Sequence, residues 1–159
     1  KRQPHHIPLS HAQQRLWFLQ KLEQTTYLYN ISTAVRLRGA LDHLALRAAL
    51  GDVTRRHESL RTVFTEDADG AYQVVLDPGE DTVRLAVERV TAKELADRVT
   101  EATRYEFDLR EEPPLRVWVF ETAADDHVLL LVMHHIAGDG WSLSPLARDL
   151  STAYTARHT

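Results

Sequence analysis

Cysteine is absent from this 159-residue chain, methionine occurs once, and glycine and proline occur six times each. Without cysteine there is neither a disulfide nor a thiolate metal site, and the composition suits a reducing compartment. No apolar run approaches the roughly 20 residues that cross a bilayer. Lys1 to His6 is too polar for the core of a signal peptide. There is also no block of lysine or arginine that would follow a phosphate backbone, and the formal net charge is −4. Neither nucleic acid nor a membrane is expected as a partner. What is present is 43% hydrophobic content, enough at this length for one substantial core. A single soluble, cytoplasmic domain or lobe is expected.

Residues 1–9 contain two prolines and read as a linker or an extended lead-in segment. Ser10-x-x-Gln13 is a capping box that opens a helix to about Glu23, with Leu16, Trp17 and Leu19 among its apolar positions. Trp17, Phe18 and Leu19 read as core. Asn30 to Arg38 alternates like a strand, and Gly39 breaks it. Asp42 caps a second helix whose stripe Leu46, Leu50, Val53 and His57 leads to Leu60. Thr62 to Glu66 and Tyr72 to Leu76 flank Asp69-Gly70 as a hairpin. Val83 to Val90 reads as a strand, and Thr91-x-x-Glu94 as a capping box for a helix to about Tyr105. Leu115 to Glu121 and His127 to Met133 form a last strand pair. Helices and strands interleave throughout, so the expected class is α/β, a mixed β-sheet with packed helices.

The densest chemistry lies in Met133-His134-His135-Ile136-Ala137-Gly138-Asp139-Gly140-Trp141-Ser142. The apolar run before it is short and nearly continuous, as in a strand covered on both faces. Side chains alternate across a strand, so only one of His134 and His135 faces a given cavity. Gly138 and Gly140 permit a tight turn, and Ser144-Pro145 suits the N-cap and first turn of a helix through Leu146, Leu150 and Tyr154. The residues alone leave three readings. One histidine is a buried structural residue, or one is a proton acceptor oriented by Asp139, or His134, His135 and Asp139 ligate a metal. The metal reading is weak, because adjacent strand histidines diverge and no further ligand pair completes a site. No metal is expected.

Three separated segments resemble one family. Ser10-His11-Ala12-Gln13-Gln14-Arg15-Leu16-Trp17 is similar to the S-x-A-Q-x-R-L-W signature of non-ribosomal peptide synthetase condensation domains. Arg56-His57-Glu58-Ser59-Leu60-Arg61-Thr62-Val63-Phe64 resembles their R-H-E-x-L-R-T-x-F. His134-His135 through Asp139-Gly140, followed by Trp141-Ser142, resembles their H-H-x-x-x-D-G. Both histidines are present, unlike in cyclization domains, and Trp141-Ser142 with the first signature separates the chain from epimerization domains. An ordinary peptide-bond-forming domain is the best match.

The resemblance implies a chloramphenicol acetyltransferase-like fold of two lobes with the active site between them. Residues 10–159 correspond to the N-terminal lobe alone, without the C-terminal lobe and inactive by itself. It implies His135 as the catalytic residue and His134 as structural. Asp139 is expected to form an ion pair with Arg61, Gly140 to bring backbone close to the thioester, and Arg15 to line the cleft. Without the resemblance, Arg61 reads as a solvated arginine at a helix end. The implied reaction is amide formation between a donor acyl or peptidyl thioester and an acceptor aminoacyl thioester, both held on phosphopantetheine of peptidyl carrier proteins. No cofactor is bound by the lobe itself. The implied neighbours are the C-terminal lobe and an adenylation domain, in a bacterial cytoplasm. The alternatives are a non-catalytic carrier-protein docking lobe and a related acyltransferase that uses CoA or carrier thioesters.

Overall fold

The computed structural model describes residues 7–23, 25–79, 82–137 and 143–158. In chain order the elements are β1 (Ile7–Pro8), α1 (His11–Leu22), β2 (Asn30–Arg38), α2 (His43–Arg56), β3 (Thr62–Asp67), β4 (Gly70–Val75), β5 (Arg84–Arg89), α3 (Leu95–Thr103), β6 (Leu115–Ala123), β7 (Asp126–His134) and α4 (Leu143–His158). Short 3-10 turns span Thr26–Tyr29, Glu58–Arg61 and His135–Ala137. The class is the mixed α/β expected, and the strands divide between two sheets. The larger has the order β2-β7-β6-β5, and the smaller β1-β4-β3. β7 pairs antiparallel with both β2 and β6, while β5 joins β6 in parallel. A parallel neighbour requires a crossover, which α3 supplies.

β7 is covered on both faces, as its unbroken apolar run requires. One face carries Leu129, Leu131 and Met133 against Leu46, Leu50 and Val53 of α2 and Leu146 and Leu150 of α4. The other carries Leu130 and Val132 with Trp118 and Phe120, packed against Trp17 of α1, Ala102 of α3 and Phe64 of β3. The helices therefore sandwich the four-stranded sheet, and the end of β7 is held on both sides. At the chain's start, Ile7–Pro8 pairs with Gln73 and Tyr72 of β4, and Leu9 is buried.

Local signals explain most boundaries. Ser10 accepts from the Gln13 N–H at 3.1 Å while Gln13 Oε1 accepts from the Ser10 N–H at 2.9 Å, a complete capping box. Asp42 caps α2 by accepting from the Ala45 N–H at 3.0 Å. Gly70, with φ 121°, closes the β3–β4 hairpin in a conformation few other residues adopt. Thr91 and Glu94 exchange both capping-box hydrogen bonds, at 3.0 and 3.2 Å, but regular helix begins only at Leu95 and stops at Thr103. Two expectations need correction. α4 already includes Leu143, so Ser144 lies inside the first turn rather than at its N-cap. Pro145 still fits there, since first-turn N–H groups have no partner within the helix. Phe18 is not core: it is 60% exposed, because it points away from the face that carries Trp17.

Candidate active site

β7 delivers the two motif histidines to different surroundings. His134, its last residue, is fully buried, whereas His135 opens the 3-10 turn and is exposed. Ile136 and Ala137 then return to the interior and anchor the turn from below.

The backbone N–H and both ring nitrogens of His134 are used. Its backbone N–H donates to the Pro114 carbonyl at 2.9 Å. Nδ1 accepts from the Ile136 N–H at 3.0 Å, so the ring proton belongs on Nε2, which lies 3.1 Å from Gln20 Oε1. Gln20 is oriented for that role because its own Nε2 donates to the Phe107 carbonyl at 3.0 Å. Tyr29 and Phe107 flank the imidazole at 6.1 and 6.3 Å between ring centroids. Burial, assisted by the nearby His135, pushes the His134 pKa down to about 4. A neutral imidazole with both nitrogens committed is a positioning device, not a proton carrier.

α1 contributes more than packing. Gln13, Trp17 and Gln20 lie at i, i+4 and i+7 and share its inward stripe. Gln20 holds His134, while Gln13 Nε2 donates to the Ile136 carbonyl at 3.4 Å. Gln73 of β4 buttresses Gln13 with a 3.0 Å hydrogen bond to its Oε1. The two glutamines thus grip the turn that presents His135, and the sequence reading, which weighed α1 by its apolar positions, missed them. The signal available was two polar residues seven apart on either side of a buried tryptophan. Arg15 is exposed on α1.

Arg61 is not a solvated helix-end arginine. Its side chain is 12% exposed; Nε donates to the Thr54 carbonyl at 3.0 Å and Nη1 to the Leu76 carbonyl at 2.6 Å. It ties the end of α2 to the end of β4, and Glu58 approaches only to 3.7 Å. Its expected partner Asp139, with Gly140, Trp141 and Ser142, lies outside the described residues. The neighbouring His57 was legible as an apolar-stripe position and as part of the second signature, but its partner was not. Its Nε2 lies 2.8 Å from Asp149 Oδ2, linking the second motif to α4.

The mixed α/β architecture is of the chloramphenicol acetyltransferase-like type, and in it a buried neutral histidine precedes an exposed one on a turn braced by α1. The chain belongs to the condensation-domain family, whose model matches residues 3–159. It is 54% identical over 154 residues to a dimodular nonribosomal peptide synthase of Bacillus subtilis (strain 168), covering 97% of this chain and 6% of that protein. Among solved structures, the X-domain in complex with OxyB from teicoplanin biosynthesis superposes with a TM-score of 0.88 at 39% identity, over 99% of this chain and 34% of that one. The starter condensation domain of rhizomide synthetase RzmA shares the fold, with a TM-score of 0.84 at 23% identity over 95% of this chain and 38% of that one. The chain therefore spans a small fraction of the curated synthetase and about a third of these structures' chains. Among the described residues no helix is long and apolar enough to cross a membrane.

Proposed function

We propose that this chain supplies one wall, and the catalytic histidine, of a domain that forms peptide bonds in non-ribosomal peptide synthesis. The acceptor amine attacks the donor thioester carbonyl, the C–N bond forms, the C–S bond breaks, and the amine's surplus proton ends on the departing thiol. Both substrates arrive on phosphopantetheine arms of peptidyl carrier proteins in the cytoplasm, and the lobe holds no cofactor of its own. The carrying observation is His135, exposed on a clamped turn immediately after a neutral His134 whose ring nitrogens are both hydrogen-bonded. An imidazole can serve as a general base, and an uncharged neighbour adds no charge repulsion beside it. His135 accepts or orients the amine proton, and His134 sets the direction from which it does so.

Asp139 acts through the fold in this reading, as the buried counter-charge of Arg61. The guanidinium of Arg61 is nearly buried, and its close contacts are neutral carbonyls, so a carboxylate there offsets its desolvation. Gly140, Trp141 and Ser142 complete the loop, and Arg15 lines the cleft. A C-terminal lobe forms the opposite wall, with an adenylation domain adjacent in the same polypeptide. A docking role without turnover is the second reading, favoured by one observation: a structure that superposes well is itself a complex with another protein.

The test mixes donor-loaded and acceptor-loaded carriers with the complete domain and measures the amide product by mass spectrometry. Catalysis is expected from the complete domain and none from this chain alone, because orienting two arms requires both walls. Turnover by a monomer of this chain would overturn the two-wall requirement, and a complete domain without turnover would favour docking. Asp139→Ala should lower the melting temperature more than His135→Ala does.

A further inference from the structure

The opposite end of β7 carries a second histidine cluster, about 24 Å from His134 by strand rise and on the other face of the sheet. We propose that His43, Glu121 and His127 form a zinc site that fastens the start of α2 to the far end of the β6–β7 pair. One donor atom from each of the three lies within 4.8 Å of the other two. His127 is 1% exposed, and its Nδ1 is buried without a hydrogen-bond partner, as is Nε2 of His43. Two unsatisfied imidazole nitrogens in one cluster are unusual, since buried polar atoms nearly always find a partner.

Glu121 does not hydrogen-bond His127 either: its Oε1 is 3.7 Å from Nε2, the ring nitrogen other than the partnerless Nδ1, and the two imidazoles meet edge to face at 6.3 Å. A cation placed between the three would take one nitrogen lone pair from each imidazole together with the carboxylate. Two imidazoles and one carboxylate are the donor set of Zn2+, whereas Ca2+ and Mg2+ prefer oxygen throughout. Tetrahedral zinc requires donors about 3.3 Å apart, so the side chains must draw in by up to about 1.5 Å. They are placed to do so: His43 is the first residue of α2, and Glu121 adjoins a bulge at the end of β6. Both are half-buried, which leaves a path for the ion and a fourth position for water. The sequence expectation of no metal weighed only His134, His135 and Asp139, and this site uses none of them.

The test is calorimetric titration of the chelator-treated protein with Zn2+ at about pH 7.5, where imidazoles are free to bind, with Co2+ as a visible-absorbing substitute. One zinc per chain is expected, with a higher melting temperature on addition and a cobalt d–d spectrum of low coordination number. His43→Ala and Glu121→Gln should each weaken binding at least tenfold while retaining the far-UV circular dichroism of the parent. His57→Ala and His135→Ala should bind zinc as the parent does. If His43→Ala fails to fold, Glu121→Gln decides alone. Absence of stoichiometric binding would overturn the proposal and leave a trapped water as the nitrogens' partner. Binding undiminished in the substituted proteins would overturn it equally, by locating the ion at other histidines.

Discussion

His127 and His134 are buried on the same strand, seven residues apart, and their surroundings differ sharply. His134 has a partner for each ring nitrogen and stays neutral in a shell of Gln20, Ile136, Tyr29 and Phe107. His127 has a nitrogen with no partner and two further potential ligands within reach. The first arrangement is complete within the protein, each ring nitrogen having its partner. The second lacks a bonding partner that the described residues do not supply. Burial alone therefore does not assign a histidine's role; the census of its hydrogen bonds does.

The comparison is sharpest in activity. His135→Ala in the complete domain should lower the rate of amide formation by about 10²–10⁴-fold, with stability changed by no more than about 0.5 kcal/mol. Rates come from product mass spectrometry and stability from urea unfolding. His134→Ala should behave in the opposite way. Removing a packed ring and stranding both the Ile136 N–H and Gln20 Oε1 should cost about 2–4 kcal/mol. An unchanged urea midpoint would remove His134 from the structural role.

Acid should act on the His134 end. The folded pKa of His134, about 4, lies below its unfolded value near 6.5. The unfolded chain thus binds the proton more readily, so this contribution is complete above pH 6.5 and declines as the pH falls toward 4. The loss is of the order of 3 kcal/mol. His134→Gln should flatten that stretch of the stability–pH curve, and an unaltered slope would assign it to other groups. A smaller effect is expected for Gln13→Ala, which removes part of a cap and one support of the turn, at about 1 kcal/mol. Phe18→Ser should change stability least, within about 0.5 kcal/mol, because its ring is mostly in solvent.

The legible parts of the molecule were those governed by neighbours in sequence. The apolar run into His134 identified a strand covered on both faces, and Ser10 with Gln13, Asp42, and Gly70 marked where helices start and a hairpin turns. The histidine pair was likewise visible, and alternation along a strand already required the two to diverge. Phe18 was misread because three consecutive bulky residues on a helix cannot all face inward, and nothing local says which one turns away.

Composition, periodicity and capping thus determined the class, most element boundaries and the location of the candidate site, since each depends on residues only a few positions apart. Only the tertiary structure decided which histidine is buried, that Gln13 and Gln20 grip the turn, that Arg61 clamps two carbonyls, and that His57 meets Asp149 from 92 residues away. It alone brought His43 to Glu121 and His127. Such contacts leave no periodic trace. They arise when sheet register and helix packing bring distant segments together, and a buried polar atom must then take whatever partner that packing supplies.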